Sequence, residues 1–321
     1  MVYGSFGLIL KESTVREGQR GSPLALIAGQ KGDKPIEACS ELLKSGFQPD
    51  GLTWATIAYF DDLVLAQFLL DHHQPYNYNS PDQHKTPSPL VEAAGNHNKE
   101  LVILFLKADA DANESAEQYG YSRSALQQAV EVGNLDIVCC LVEAGADVNS
   151  LIGDEQATAL QLAAIQGYLG IAKYLLDHGA QVNALPAKKY GRTALEGAAE
   201  NGRLDMLELL LASGALTIGK WRRRFVRAVK MATREHHYTA AKLLKEAAGW
   251  SEADENMFKT ENIRDEDTRA TELEEDGIDV DESDVGERAA NGIDVSEEYD
   301  YSWAVQGGDY IIGASYDFPI M

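Results

Sequence analysis

Cysteine is scarce in this chain: three in 321 residues, at positions 39, 139 and 140. That is too few for a disulfide framework, and the adjacent Cys139 and Cys140 would form a strained bridge. The thiols are read as reduced and the protein as intracellular, cytoplasmic or nuclear. Long apolar runs are also missing. None approaches the roughly 18 residues of a membrane helix, so no membrane partner is expected. The opening MVYGSFGLIL has no basic stretch ahead of its short apolar piece, which predicts no secretory leader. Base is in short supply too. Lys and Arg number 28 against 51 Asp and Glu, a net charge of −23. Such a surface repels phosphate and argues against nucleic acid as the main partner.

Catalytic signatures are lacking as well. Gly29 to Lys34 looks like a phosphate loop but does not keep the G-x-x-x-x-G-K-[ST] spacing. Asp279, Asp281 and Ser283 begin like a calcium loop, but Asp284 stands where glycine is needed and Ala290 where the closing Glu belongs. His72-His73 and His236-His237 are neighbours in sequence and point apart on a helix, with nothing to complete a zinc set. No catalytic residue, metal or cofactor is expected. An enzyme whose site is assembled only in three dimensions is the alternative class.

What is present is uneven charge and a repeat. Residues 251–321 hold 22 of the acids and 4 of the bases, a net of −18, which leaves −5 for residues 1–250. Within 1–250 one pattern recurs. Its clearest copy is Thr158-Ala159-Leu160, Ala163-Ala164, Gly167, Leu175-Leu176, Gly179-Ala180 and Asn183. Companion copies open at Ser88, Ser124 and Thr193, and weaker ones run through Leu24, Trp54 and Met231. The second residue of each apolar pair falls at 43, 70, 106, 142, 176, 211 and 244, a period near 34. Leu176 and Leu211 are expected to lie between helices. Ser or Thr at each head caps a first helix, the middle Gly ends it in a left-handed turn, and the closing Gly ends a second. In the third copy Asn98 lies near the middle-Gly position.

A period near 34 also suits tetratricopeptide repeats, but those want Trp and Tyr where this chain has Ala-Ala. The short Ser/Thr-Pro/Ala-Leu openings and the closing Gly-Ala-Asp-x-Asn resemble the ankyrin family, over roughly residues 18–250. Copies 122–183 and 187–215 look most like ankyrin arrays of filamentous fungi, where such arrays often follow a nucleotide-binding signalling module. The resemblance implies an all-α solenoid of about seven helix–turn–helix repeats. The domains read as a lead-in at 1–17, the array at 18–250, and an acidic tail at 251–321 expected to be mostly disordered.

The resemblance also implies a function: a non-enzymatic scaffold or adaptor that holds a protein partner on its concave surface. A substrate-recruiting subunit of a ubiquitin ligase or a signalling complex is the related alternative. The partner would meet turn tips and first helices. Those positions map onto Tyr59, Phe60, Tyr119, Tyr121, Arg123, Glu131, Asp154, Glu155, Gln166, Lys189, Tyr190, Arg192, Glu200 and Asn201. Tyr and Arg are enriched at interface hot spots. Separately, Lys220 to Lys230 carries six bases. It reads as a solvated cap surface, a nuclear import signal, or a dock at Arg222, Arg223, Arg224 and Arg227 for the acidic tail of the same molecule. A monomer is expected.

Overall fold

The computed structural model describes residues 23–28, 35–76, 88–118, 121–151, 157–187 and 191–260. Fourteen of the helices in these residues pair into seven units of two. They are α1 (Pro23–Ala28) with α2 (Pro35–Lys44), α3 (Gly51–Phe60) with α4 (Leu63–Asp71), and α5 (Pro89–Gly95) with α6 (Lys99–Lys107). Then come α7 (Ala125–Glu131) with α8 (Leu135–Glu143), α9 (Ala159–Gln166) with α10 (Leu169–Asp177), and α11 (Ala194–Glu200) with α12 (Leu204–Ala212). The seventh unit is α13 (Arg222–Arg234) with α14 (Tyr238–Ala248). First helices pack on first helices, α1 through α13, and second helices on second helices, α2 through α14. The result is a stack in which each unit meets only its neighbours.

Local chemistry accounts for many of the boundaries. Ser88, Ser124, Thr158 and Thr193 cap first helices through their hydroxyls. In α7, α9 and α11 the cap is reciprocal: Gln127, Gln161 and Glu196 reach back to the cap N–H. Asp62, Asn98 and Asn134 cap second helices. Between the helices of a unit the chain turns through positive φ, at Gly133, Gly167 and Gly202, but also at Asp61, His97 and His236. The turn residue of the third unit is therefore His97. Asn98, which the sequence set near that position, is the cap of α6.

The middle glycines have a second cause. The entry residue of the next unit's second helix lies directly over them. A Cβ on Gly133 would meet the Tyr168 ring at 2.7 Å, one on Gly167 the Arg203 side chain at 2.8 Å, and one on Gly202 the His237 ring at 2.5 Å. In the second unit, where Asp61 replaces glycine, Asn98 donates to its carboxylate at 2.5 Å instead.

The core runs between the two rows. Leu24, Trp54, Leu90, Leu126, Leu160 and Leu195 line it from the first helices. Trp54 fills the leucine position, edge to face with Phe105 and tilted against Tyr76. From the second helices come Leu69, Phe105, Leu141, Leu175, Leu210 and Leu244, all fully buried. Each stands seven residues after its helix-entry residue, from Asp62 to His237. Leu176 and Leu211, expected at this depth, are only partly buried. Adjacent helix positions point about 100° apart, so only one of a pair can face the core.

Two features depart from the plain pattern. A β-hairpin, β1 (Ser115–Gln118) and β2 (Tyr121–Ser124), precedes α7, with Ser115 opposite Ser124 and Gln118 opposite Tyr121. And helix α15 (Glu252–Thr260) packs on α13, so helical structure continues past the boundary drawn at residue 250. The lead-in at 1–17 and residues 261–321 lie outside the described residues.

Candidate protein-binding face

Counting from the buried Trp54 of α3 and the buried leucines of α5, α7, α9 and α11, the fifth residue on is Tyr59, Gly95, Glu131, Ile165 and Glu200. The sixth is Phe60, Asn96, Val132, Gln166 and Asn201. These positions face away from the second helices and form a row across the stack. At one end Tyr59 and Phe60 meet edge to face, ring centroids 5.0 Å apart, and remain 46% and 40% exposed. In the middle sit the half-buried Leu162, Ile165 and Gln166 of α9. Ile165 lies so close to α11 that a Cβ on Gly197 would meet it at 2.5 Å.

Two arginine–glutamate pairs flank that apolar centre, each eight residues apart in sequence. Arg123 pairs with Glu131 and also donates to Gln128. Arg192 grips Glu200 with Nε at 2.8 Å and Nη2 at 3.3 Å. Arg234 reaches the same carboxylate from α13 at 2.9 Å. Asn201 donates to the Gly197 carbonyl at 2.9 Å. Forked charge-assisted bonds of this kind fix long side chains that would otherwise sample many rotamers.

The structure thus brings Tyr59, Phe60, Arg123, Glu131, Gln166, Arg192, Glu200 and Asn201 onto first helices or their approaches. Tyr121 opens β2. Tyr119, Asp154, Glu155, Lys189 and Tyr190 lie outside the described residues. Leu162, Ile165, Gln128 and Arg234 belong to the face and were missed. Their signal was available in the column spacing, which places Ile165 between Glu131 and Glu200.

At the opposite edge the units are tied by asparagines. Asn113 Nδ2 donates to the Gly145 carbonyl, and Asn113 Oδ1 accepts from Asp147 N–H. Asn149 does the same to Gly179 and Gln181, and Asn183 to Gly214 and Leu216. A family description, ankyrin repeats in three copies, matches residues 52–152 and 148–218, more than half of the chain. This chain belongs to the ankyrin-repeat family. No curated protein matches it.

Ankyrin repeats are generally protein–protein interaction modules, and proteins built of them are generally non-catalytic. Within this ankyrin array the basic cluster splits in two. Arg224 and Arg227, read as part of an exposed dock, are 9% and 6% exposed and turn inward toward the fully buried Glu196, at 3.7 and 3.8 Å. Their place on α13 puts them against α11, as a first helix requires. Arg222 instead faces α15 and holds Asp254. Arg223 is half-buried at the start of α13.

Other groups of the ankyrin array carry displaced titrations, Cys39 and Glu114 among them. Burial pushes the Cys39 thiol up to about 11, leaving it a core residue rather than a nucleophile. Burial likewise raises Glu114, against the opposing effect of hydroxyl bonds from Ser88 at 2.7 Å and Tyr76 at 3.0 Å. Among the described residues no group of three or more His, Cys, Asp or Glu is placed to hold a metal ion. No described helix is long and apolar enough to cross a membrane.

Proposed function

We propose that the chain is a non-catalytic scaffold that binds a protein partner on the row of first helices, from Tyr59 and Phe60 across Ile165 to Glu200. The observation that carries this reading is the prearranged centre of the row. Leu162 and Ile165 are apolar and partly exposed, and the charged groups on either side are already held in pairs. A partner that covers such a face buries apolar area at its centre and meets polar groups at its rim, which is how protein interfaces divide. Little side-chain freedom remains to be lost on binding, which favours affinity. The exposed Tyr59 and Phe60 supply an aromatic anchor at the edge. The chain's net charge of −23, most of it in residues 251–321, supports a protein partner over a nucleic acid.

The test pairs the parent chain as bait with an Ile165→Asp variant and a Tyr59→Ser/Phe60→Ser variant. A partner retained by the parent and lost by variants that melt like the parent is the expected result. Proteins captured equally by all three would overturn the assignment of this face.

A further inference from the structure

Helix α15 begins with three acids, Glu252, Asp254 and Glu255. Acids favour a helix N-terminus, and exposure would suffice for that. Asp254, however, is 3% exposed, and it is the one buried residue of α15. Arg222 donates to its two oxygens from Nε and Nη2, both at 2.7 Å. Ser251 closes the turn, with its N–H and hydroxyl donating to Asp254 Oδ2 and its Oγ accepting from Asp254 N–H. The fork is itself anchored by the array. Arg222 also donates to the carbonyls of Thr217 at 3.0 Å, Ala248 at 3.2 Å, and Gly249, and lies 4.8 Å from the Phe225 ring.

One turn beyond Asp254, Phe258 is half-buried. Lys245 and Lys230 stand over its ring at 5.2 and 5.5 Å, and Trp250 meets it edge-on at 6.1 Å. Lys230 Nζ donates to the Phe258 carbonyl at 2.6 Å. Arg222 and Lys230 are eight residues apart on α13 and so share a face. Asp254 and Phe258 are four apart on α15 and share another. Acid meets guanidinium and aromatic ring meets ammonium, while the rest of α15 is largely exposed.

We propose that this face of α13 and α14 is a second docking surface, specific for an acidic amphipathic helix carrying Asp and Phe one turn apart, with α15 as its occupant in cis. The surface is distinct from the face that runs from Tyr59 to Glu200 and does not depend on it. The occupant is held by one buried ion pair and one half-buried ring. A partner helix of the same chemistry therefore competes with it, and the tether is what keeps α15 in place.

The probe is a labelled peptide of the chain's own residues 250–260, added to the full chain and to a full-chain Asp254→Ala/Phe258→Ala variant. The parent is expected to bind it weakly. The variant should bind at least about tenfold tighter, because its tethered occupant no longer competes. Adding Arg222→Ala to the variant should abolish the gain. Asp254→Asn, which keeps the side chain's shape, gives the same readout if the double variant melts early. Equal binding to parent and variants, or a gain that survives Arg222→Ala, would overturn the proposal.

Discussion

Units four and five join their neighbours through neutral amides, whereas unit six joins the last unit through charge. Gln127 donates to the Ala157 carbonyl at 2.9 Å, and Gln161 to those of Ala184 and Leu185 at 3.1 and 3.0 Å. Glu196 stands at the same place and closes the same reciprocal cap with Thr193. It has no N–H to send forward, and Arg224 and Arg227 face it instead. Within its own helix a Gln or a Glu serves equally, since both accept from the cap N–H. Toward the next unit they differ: only the amide can donate to a carbonyl, and only the carboxylate offers an arginine a countercharge. The carboxylate of the sixth unit thus faces the arginines of α13, where the amides of units four and five face carbonyls. An ordinary repeat would bring carbonyl oxygens against a buried carboxylate.

The comparison breaks most severely through the core. Leu175→Asp places an unpaired charge in the middle of the stack and is expected to cost more than about 4 kcal/mol, enough to end cooperative folding. Leu244→Asp, at the equivalent depth of the last unit, should melt the C-terminal end and leave units four and five folded, since a repeat array adds nearest-neighbour terms. Leu176→Asp should cost far less than Leu175→Asp. Denaturant unfolding followed by helix content and by amide exchange separates the three. Equal effects at 175 and 176 would show the register assigned here to be wrong.

Next comes the exchange of the two linking residues. Glu196→Gln leaves Arg224 and Arg227 buried beside a neutral group and should cost about 3 kcal/mol. Adding Arg224→Met and Arg227→Met should recover most of that loss, because a well-packed apolar set replaces a buried ionic one. Denaturation midpoints of the single and triple variants decide the matter. A Glu196→Gln variant as stable as the parent would mean that the carboxylate is not what the arginines answer.

Much of this was legible beforehand. The period, the capping Ser and Thr and the turn glycines all act through neighbours in sequence, so the chain displays them. The leucine pairs did not reveal their inner member, because two adjacent apolar residues fit the period equally well. Only counting seven from the helix entry, as from Tyr168 to Leu175, resolves it. His97 escaped because nothing in its side chain announces positive φ. Arg224 and Arg227 read as surface charge because Glu196 lies about 30 residues away, and α15 read as tail because Arg222, the guanidinium that holds its carboxylate, is equally distant. On the proposed face Tyr59 and Arg192 stood out by residue type, while Ile165 looked like one more core residue.

A smaller effect tests the turns that both regions share. Gly167→Ala forces a side chain into the left-handed region and against Arg203, and should cost about 1–2 kcal/mol. His97→Gly, at the same turn two units earlier, should change stability by less than about 0.5 kcal/mol, strain relief being offset by a freer unfolded chain. Thermal melts of the two variants check the contrast.

The smallest effect concerns the C-terminal charges alone. The forked bond from Arg222 holds the Asp254 carboxyl well below the usual carboxylate range. A carboxyl depressed in the folded state adds stability that is fully present above its unfolded value, about 4, and that fades as pH falls below it. Neutral solution therefore keeps the α15 contact intact, and acid weakens it before the neutral amide links of units four and five are touched. The carboxyl carbon of Asp254, followed by NMR across an acid titration, should show a midpoint clearly below that of the exposed aspartates of the array. Arg222→Ala should return the midpoint upward, past the ordinary range if the carboxyl stays buried and into it if α15 comes away. In either case the amides of α15 should lose their slow exchange in acid while those of α9 keep theirs. A midpoint already ordinary in the parent would mean that the fork does not form in solution, and that charge does not distinguish the last unit from those before it.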